Sequence, residues 1–521
     1  MKTINMGNSS ENNKRIAKNT LLLYCRMLFL MAVSLYTSRI VLNALGVEDF
    51  GIYNVVGGIV AMFAVLSGSL SAAISRFITY ELGKGNQKNL NKIFSSAVTI
   101  QLGLAVIIIL LAESIGLWFL NVKMNIPETR MVAANWVFQF SILTFAINLI
   151  SVPYNASIIA HEKMSAFAYI SILEAVGKLT IAYLIVISPI DKLIFYAILM
   201  CLVALVIRLT YGNYCKRHFN ECTYHFSWDK LLLKQMFGFA GWNFIGASSA
   251  ILRDQGGNVV INLFCGPTVN AARGIAFQVN NAVNQFVTNF MTALNPQITK
   301  SYAAGEKDYM ITLIFQGARL SFYMLILLSL PILVNTHYVL GLWLKIIPEH
   351  TVLFVQLALI FAMSESISNP LITAMLATGK IRNYQLVVGG LQMMNLPLSY
   401  VFLHMGMFPE IVIVIAIAIS QCCLAARLIM LRSMIGLSVR KYIKKVYTNV
   451  LAVIIAAAII PFLLTFRLEE SFQNFILSSF VTIICTGTAI YYIGCNRDER
   501  QFITNKIHNF FNKIRRNDSI K

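Results

Sequence analysis

The chain has 521 residues, of which 57% are hydrophobic and only 12% charged, where a soluble domain carries about a quarter charged residues. That balance excludes a soluble globular enzyme, and the length of the apolar runs excludes an outer-membrane barrel of short alternating strands. The net charge of +20 reads as membrane topology rather than nucleic-acid binding, because the cations fall in short loops and in a tail suited to anionic lipid.

In chain order, the first stretch MKTINMGNSSENNKRIAKNT is polar and lacks a cleavage pattern, so the first helix is expected to be retained. Apolar runs able to cross ~30 Å of hydrocarbon then recur at 18–44, 50–80, 92–120, 131–159, 164–187, 193–213, 235–264, 267–298, 309–335, 350–378, 383–404, 409–430, 446–465 and 472–494, about fourteen spans. Several exceed the ~20 residues a span needs and are expected to tilt or project. The nine cysteines show no CxxC or other metal spacing, so neither a disulfide framework nor a metal site is expected.

Orientation follows from the loops. With the N-terminus inside, the inside segments hold runs such as Lys84, Lys88 and Lys92, or Arg440, Lys441, Lys444 and Lys445. The outside loops hold only Lys123, Arg130, Lys192, Lys345 and Arg467. Both termini are therefore expected in the cytoplasm. No loop has room for a soluble catalytic domain and no GxxxxGK[ST] occurs, so no catalytic residue is assigned and the chain is read as a transporter rather than an enzyme. Energy would come from an ion gradient, the membrane potential or the substrate's own gradient.

The chain repeats itself. QFSILTFAINLISVPYNASIIAHEK at 139–163 returns as QLALIFAMSESISNPLITAMLATGK at 356–380, with Gln139 on Gln356, Pro153 on Pro370 and Lys163 on Lys380, an offset of 217. Gly51, Ile52 and Val56 match Gly274, Ile275 and Val279 at an offset of 223. An all-α polytopic membrane protein with two six-helix lobes in parallel repeat is predicted, since an even number of spans gives both lobes one orientation. The expected divisions are an N-terminal segment 1–17, an N-lobe 18–213, an inter-lobe loop 214–234, a C-lobe 235–430, two further spans with their basic loop at 431–494, and a basic tail 495–521.

Twelve repeat-related spans plus two, ISRFITYELGKGN (74–86) after span 2, and Q…P…HEK around span 4 resemble the bacterial polysaccharide (O-antigen/capsule) flippases. These belong to the multidrug/oligosaccharidyl-lipid/polysaccharide exporter superfamily, and the resemblance covers roughly residues 15–495. It implies a bacterial inner-membrane protein that turns a lipid-linked oligosaccharide, usually on undecaprenyl diphosphate, from the cytoplasmic to the periplasmic leaflet. Membrane lipids and polysaccharide assembly proteins are the other partners expected; nucleic acid is not, and no cofactor is expected beyond H+ or Na+ as a coupling ion.

Charges within spans are costly, so each is a functional candidate. After Arg76, Arg208 and Glu113 are set aside as near-surface groups, and Glu174 with Lys178 as an i, i+4 pair open to either a structural or a functional reading, five arginines remain: Arg26, Arg39, Arg253, Arg273 and Arg319. Guanidinium grips phosphate oxygens bidentately and stays charged, so these are the candidate substrate contacts, beside pairing with Asp254 or Glu365. Arg26 and Arg39 are thirteen residues apart, about 20 Å of helix, a spacing that could pass a diphosphate from an inner to an outer site. Gln278, Asn281 and Gln285 share one face of span 8 and suit sugar hydroxyls or interhelical hydrogen bonds. Glu365 lies near the midplane opposite its repeat partner Asn148, and it and Asp254 are the candidate ion-coupling carboxylates. Two other functions compete: a multidrug antiporter of the same superfamily, which would favour acidic or aromatic cavity groups, and a membrane polymerase or ligase, for which the outside loops are too short.

Overall fold

The computed structural model describes residues 6–61, 64–122, 124, 126–226, 229–344, 347–465, 469–497, 499–501 and 504–505. Lys123, Lys345, Arg467 and the tail beyond 505 lie outside them. Every regular element among the described residues is a helix, in the order α1 (Met6–Ala61), α2 (Ala64–Lys84), α3 (Gln87–Val122), α4 (Glu128–Ala160), α5 (Met164–Ile187), α6 (Lys192–His218), α7 (Lys230–Ala303), α8 (Lys307–Val334), α9 (Thr336–Leu344), α10 (Thr351–Thr378), α11 (Arg382–His404), α12 (Ile411–Ile435), α13 (Val439–Leu464) and α14 (Phe472–Gly494). Eleven helices among the described residues are long and apolar enough to cross a membrane, which makes this a multi-pass all-α membrane protein. The predicted spans at 235–264 and 267–298 are helical but fall in α7, where polar residues dilute the hydropathy, and the predicted span at 50–80 falls in α1 and α2, on either side of residues 62–63, which lie outside the described residues.

Short polar side chains start several helices by accepting hydrogen bonds from first-turn N–H groups, which have no intrahelical partner. Asn86 caps α3, Asp191 caps α6, Asp229 caps α7 and Ser471 caps α14. Prolines sit inside α4 (Pro153), α8 (Pro331), α10 (Pro370) and α13 (Pro461), tolerated in a membrane helix where neighbours re-satisfy the freed carbonyl. Two glycines break long helices with nearly identical angles: Gly46 in α1 (φ 82°, ψ 168°) and Gly266 in α7 (φ 82°, ψ 178°). The two breaks stand at corresponding places in the two repeats, just ahead of the matched Gly51 and Gly274.

The chain forms two compact units. The first gathers residues 1–251, 289–310 and 373–390. In its interior α4 packs against α6 and α3, around Val137, Phe138, Ile142 and Leu193 at one end and Phe94, Ile158, Ile170 and Ile207 at the other. Gly116 lets the ring of Phe138 approach: a Cβ there would lie 2.7 Å from the ring. At the lysine-rich end, α4 stops in a turn where Glu162 takes φ 59°. Its side chain is 2% exposed, and the carboxylate accepts from Arg15 Nε (2.8 Å), Gln297 Nε2 (2.5 Å) and Lys300 Nζ (2.7 Å). The repeat-related turn after α10 holds Gly379 at φ 74°. There Arg76 donates to the carbonyl of Ala377 (3.0 Å), and its guanidinium fills the space a Cβ on residue 379 would need. Nearby, Glu221 accepts from His161 (2.5 Å) and Gln87 (3.1 Å). Burial pushes that carboxyl up, but the His161 and backbone hydrogen bonds outweigh it and hold it below the usual carboxylate range.

The second unit comprises 252–288, 311–372 and 391–521. Its core includes Phe354, Leu359, Leu371 and Leu431, with Tyr442 and Arg427 almost wholly enclosed. Tyr442 donates to the carbonyl of Ile367 (2.9 Å) inside α10, two residues after Glu365.

Candidate functional site

Each unit carries a cluster of charged side chains on its helices. In the second unit the cluster is built by RDQGGN at 253–258 of α7. Arg253 donates to its neighbour Asp254 through Nε (2.8 Å) and Nη2 (3.3 Å), and its guanidinium lies 5.0 Å from the ring centre of Phe361. Arg273 reaches the same place across the Gly266 break. It donates to Asn258 Oδ1 and to the Asp254 carbonyl (3.1 Å), stacks 4.3 Å from Phe277 and is only 3% exposed. Gly257 makes that approach feasible, since a Cβ there would stand 2.8 Å from Arg273 Nη2. Arg253, Asp254, Arg273, Phe277 and Phe361, with Asn280 and Asn395, line a cavity of about 10 Å³, room for about one water.

Glu365 stands on α10 within electrostatic reach of Arg253. Its hydrogen-bond partner is Ser420 (2.5 Å), which also meets Ser364 (2.9 Å); Gln421 donates to Ser364 (2.6 Å) and Tyr447 to Gln421 (3.2 Å). Arg319 lies elsewhere in the unit. It donates to the Gly494 carbonyl (3.2 Å) and to Glu499 (2.8 Å) and is 4% exposed, which ties α8 to the end of α14. Gln278, Asn281 and Gln285 form an exposed face of α7, while Asn280 is buried and accepts from Asn284 (3.0 Å).

In the first unit a cavity of about 400 Å³ runs between α1, α5 and α6. Arg26, Leu30, Val33, Ser34, Thr37 and Val41 line it from α1, the i, i+4, i+7 spacing of a single helix face. Glu174 and Lys178 line it from α5 and Tyr196 from α6. Lys178 donates to Glu174 (2.6 Å), while the guanidinium of Arg26 stacks 4.4 Å from Phe167. Arg39 is exposed, farther along α1.

The structure therefore brings Arg253, Asp254 and Arg273 together, with Glu365 nearby, and places Arg319 with Glu499 instead. It joins Arg26 to Glu174 and Lys178. The hydroxyls of Ser34 and Thr37 went unnoticed in the sequence; the signal for them was their helical spacing from Arg26.

A family model described as polysaccharide biosynthesis protein matches residues 16–302. Among solved structures, the chain is similar to a MATE in complex with MaD3S (TM-score 0.70, 13% identity, 81% of this chain and 97% of that one). It is also similar to a multidrug resistance MATE family transporter of the MOP superfamily in an outward-facing conformation (TM-score 0.69, 14% identity, 81% and 96%). A third is a MOP superfamily transporter from Pyrococcus furiosus, described by the reverse polarity of its binding pocket (TM-score 0.64, 14% identity, 81% and 96%). At such identities the likeness concerns the fold. No curated protein matches the chain.

Proposed function

Since the chain belongs to the polysaccharide biosynthesis protein family, whose transporter fold it shares, we propose that it flips a lipid-linked oligosaccharide of the polyprenyl-diphosphate type across a bacterial inner membrane. The direction proposed is from the cytoplasmic to the periplasmic leaflet, with both termini cytoplasmic. The observation that supports this best is the charge balance of the first unit's cluster. In the second unit Arg253 and Arg273 face Asp254, with Glu365 within reach of Arg253. In the first, Arg26 and Lys178 stand against Glu174, one more cation than carboxylate, where low dielectric makes an unmatched charge expensive. A diphosphate supplies the missing negative charge, and guanidinium fits its oxygens. An organic cation, the cargo of the multidrug reading, would add to the excess. Glu365, half-buried and hydrogen-bonded by Ser420, is the residue proposed to carry a coupling H+ or Na+, with Asp254 beside it.

The test is complementation of a flippase-null strain with a defined surface-polymer readout. The wild-type chain is expected to restore polymer, and Arg253→Ala or Arg273→Ala to abolish it at unchanged protein level. Failure of the wild type to restore any polymer, together with resistance to organic cations on expression, would favour the multidrug reading instead.

A further inference from the structure

The cavity of the first unit differs from the cluster around Arg273 in two respects. It is large, about 400 Å³ against about 10 Å³, within the range of small-ligand sites. Its charges are also incompletely matched. Glu174 is in ion-pair contact with Lys178 (2.6 Å), while Arg26, half-buried on the same wall, makes no ion pair among the described residues, and its Nε has no hydrogen-bond partner. The Oγ1 of Thr37, buried on the α1 face, also lacks one. Donors without acceptors around an open volume describe the outline of an anion.

The rest of the lining is apolar. Leu30, Val33 and Val41 continue the α1 face, Phe50 lines the cavity from beyond the Gly46 break and Ala175 from α5. From Arg26 to Val41 the face is about 22 Å long at 1.5 Å per residue. A free phosphate would satisfy the charged end and leave this apolar length uncovered. We propose that the cavity binds an anionic amphiphile, its phosphate bridging Arg26 and Lys178 and its hydrocarbon lying along Leu30, Val33 and Val41. Glu174 is the competitor: the ligand's phosphate must take Lys178 from it, so the carboxylate sets how tightly the site holds. The proposal rests on the flippase reading for the identity of the amphiphile, a polyprenyl diphosphate, and adds a headgroup site inside the first unit alone.

The test is calorimetric titration of the detergent-purified full-length chain with farnesyl diphosphate, inorganic diphosphate and farnesol. Farnesyl diphosphate is expected to bind, inorganic diphosphate at least tenfold more weakly, and farnesol not measurably. Arg26→Gln should weaken farnesyl diphosphate binding tenfold or more, the effect of losing one charge-assisted contact. Glu174→Gln should tighten it severalfold by freeing Lys178. Since Lys178→Met would strand Glu174 and risk misfolding, the lysine is tested in the double variant E174Q/K178M, which is expected to bind at least tenfold more weakly than E174Q. Equal affinities of wild type, R26Q and the double variant overturn the site, and equal binding of the two diphosphates overturns its amphiphile character. Binding is read apart from transport. A chain that binds through Arg26 but restores no polymer keeps the site and loses the flippase reading; one that restores polymer without such binding loses only the site.

Discussion

At Glu162 the backbone turns left-handed, a conformation that costs a residue with a Cβ about 1–2 kcal/mol. Arg15, Gln297 and Lys300 offset that cost by converging on its carboxylate. Arg15 and Lys300 keep 50% and 25% of their side-chain surface exposed, so each can turn to water if the carboxylate is removed, and the contacts are together worth about 2 kcal/mol. Glu162→Ala loses the contacts and keeps the strain, whereas Glu162→Gly loses the contacts and relieves it. Both are expected to melt below wild type in detergent, with the glycine variant more stable than the alanine variant by about 1 kcal/mol. An alanine variant as stable as the glycine one would mean that the strain is absent. Nothing in HEK at 161–163 announces a left-handed residue. The signal was present in the duplication, which sets Glu162 opposite Gly379, and a glycine in one copy of a turn describes the backbone of both. The partner of Arg319 was not legible in any way, because Glu499 lies 180 residues away in sequence and outside the repeat.

Among the elements, α1 and α7 are organised by single glycines. Gly46 and Gly266 share φ 82°, and nothing lies within 4 Å of a Cβ built on either, so conformation alone fixes glycine there. Gly266→Ala is expected to destabilise by about 1–2 kcal/mol through backbone strain. Gly274→Ala, eight residues on, within the helix and equally open, should stabilise by about 0.4–1 kcal/mol by restricting the unfolded chain. Melting curves of the two variants in one detergent check the opposite signs; a shift in the same direction would remove this account of the break. The break was legible, since the gaps left between predicted spans at 44–50 and 264–267 contain the two glycines. Less legible was that 235–264 and 267–298 would fall short of a span's usual hydropathy. They carry Arg253, Asp254, Arg273 and the amides of α7, the residues singled out as functional.

For the molecule as a whole, the apolar solvent is written on its surface. Val106, Ile107, Leu110, Leu209, Phe462, Leu463 and Phe480 are all more than half exposed, an arrangement stable only against hydrocarbon. The helical architecture was legible from run length and hydropathy, and the repeat from three residue types that kept one offset. Orientation rests on the loop cations. Reporter tags at the two termini and within 214–234 are therefore expected to read cytoplasm, and tags at 121–130 and 335–349 to read periplasm. A periplasmic C-terminus would make the number of spans odd and dissolve the parallel repeat.

The cavity beside Arg253, Asp254 and Arg273 admits about one water. Any larger anion must part α7 from α10, α11 and α12, which supply Phe361, Asn395 and Val412 to its wall. Work done on those helices is then subtracted from the affinity, and affinity gained is returned as movement. By linkage, whatever holds the helices closed weakens the anion's binding, and the anion favours opening by the same factor. For an anion held there, binding and the parting of the helices are one equilibrium seen from two sides.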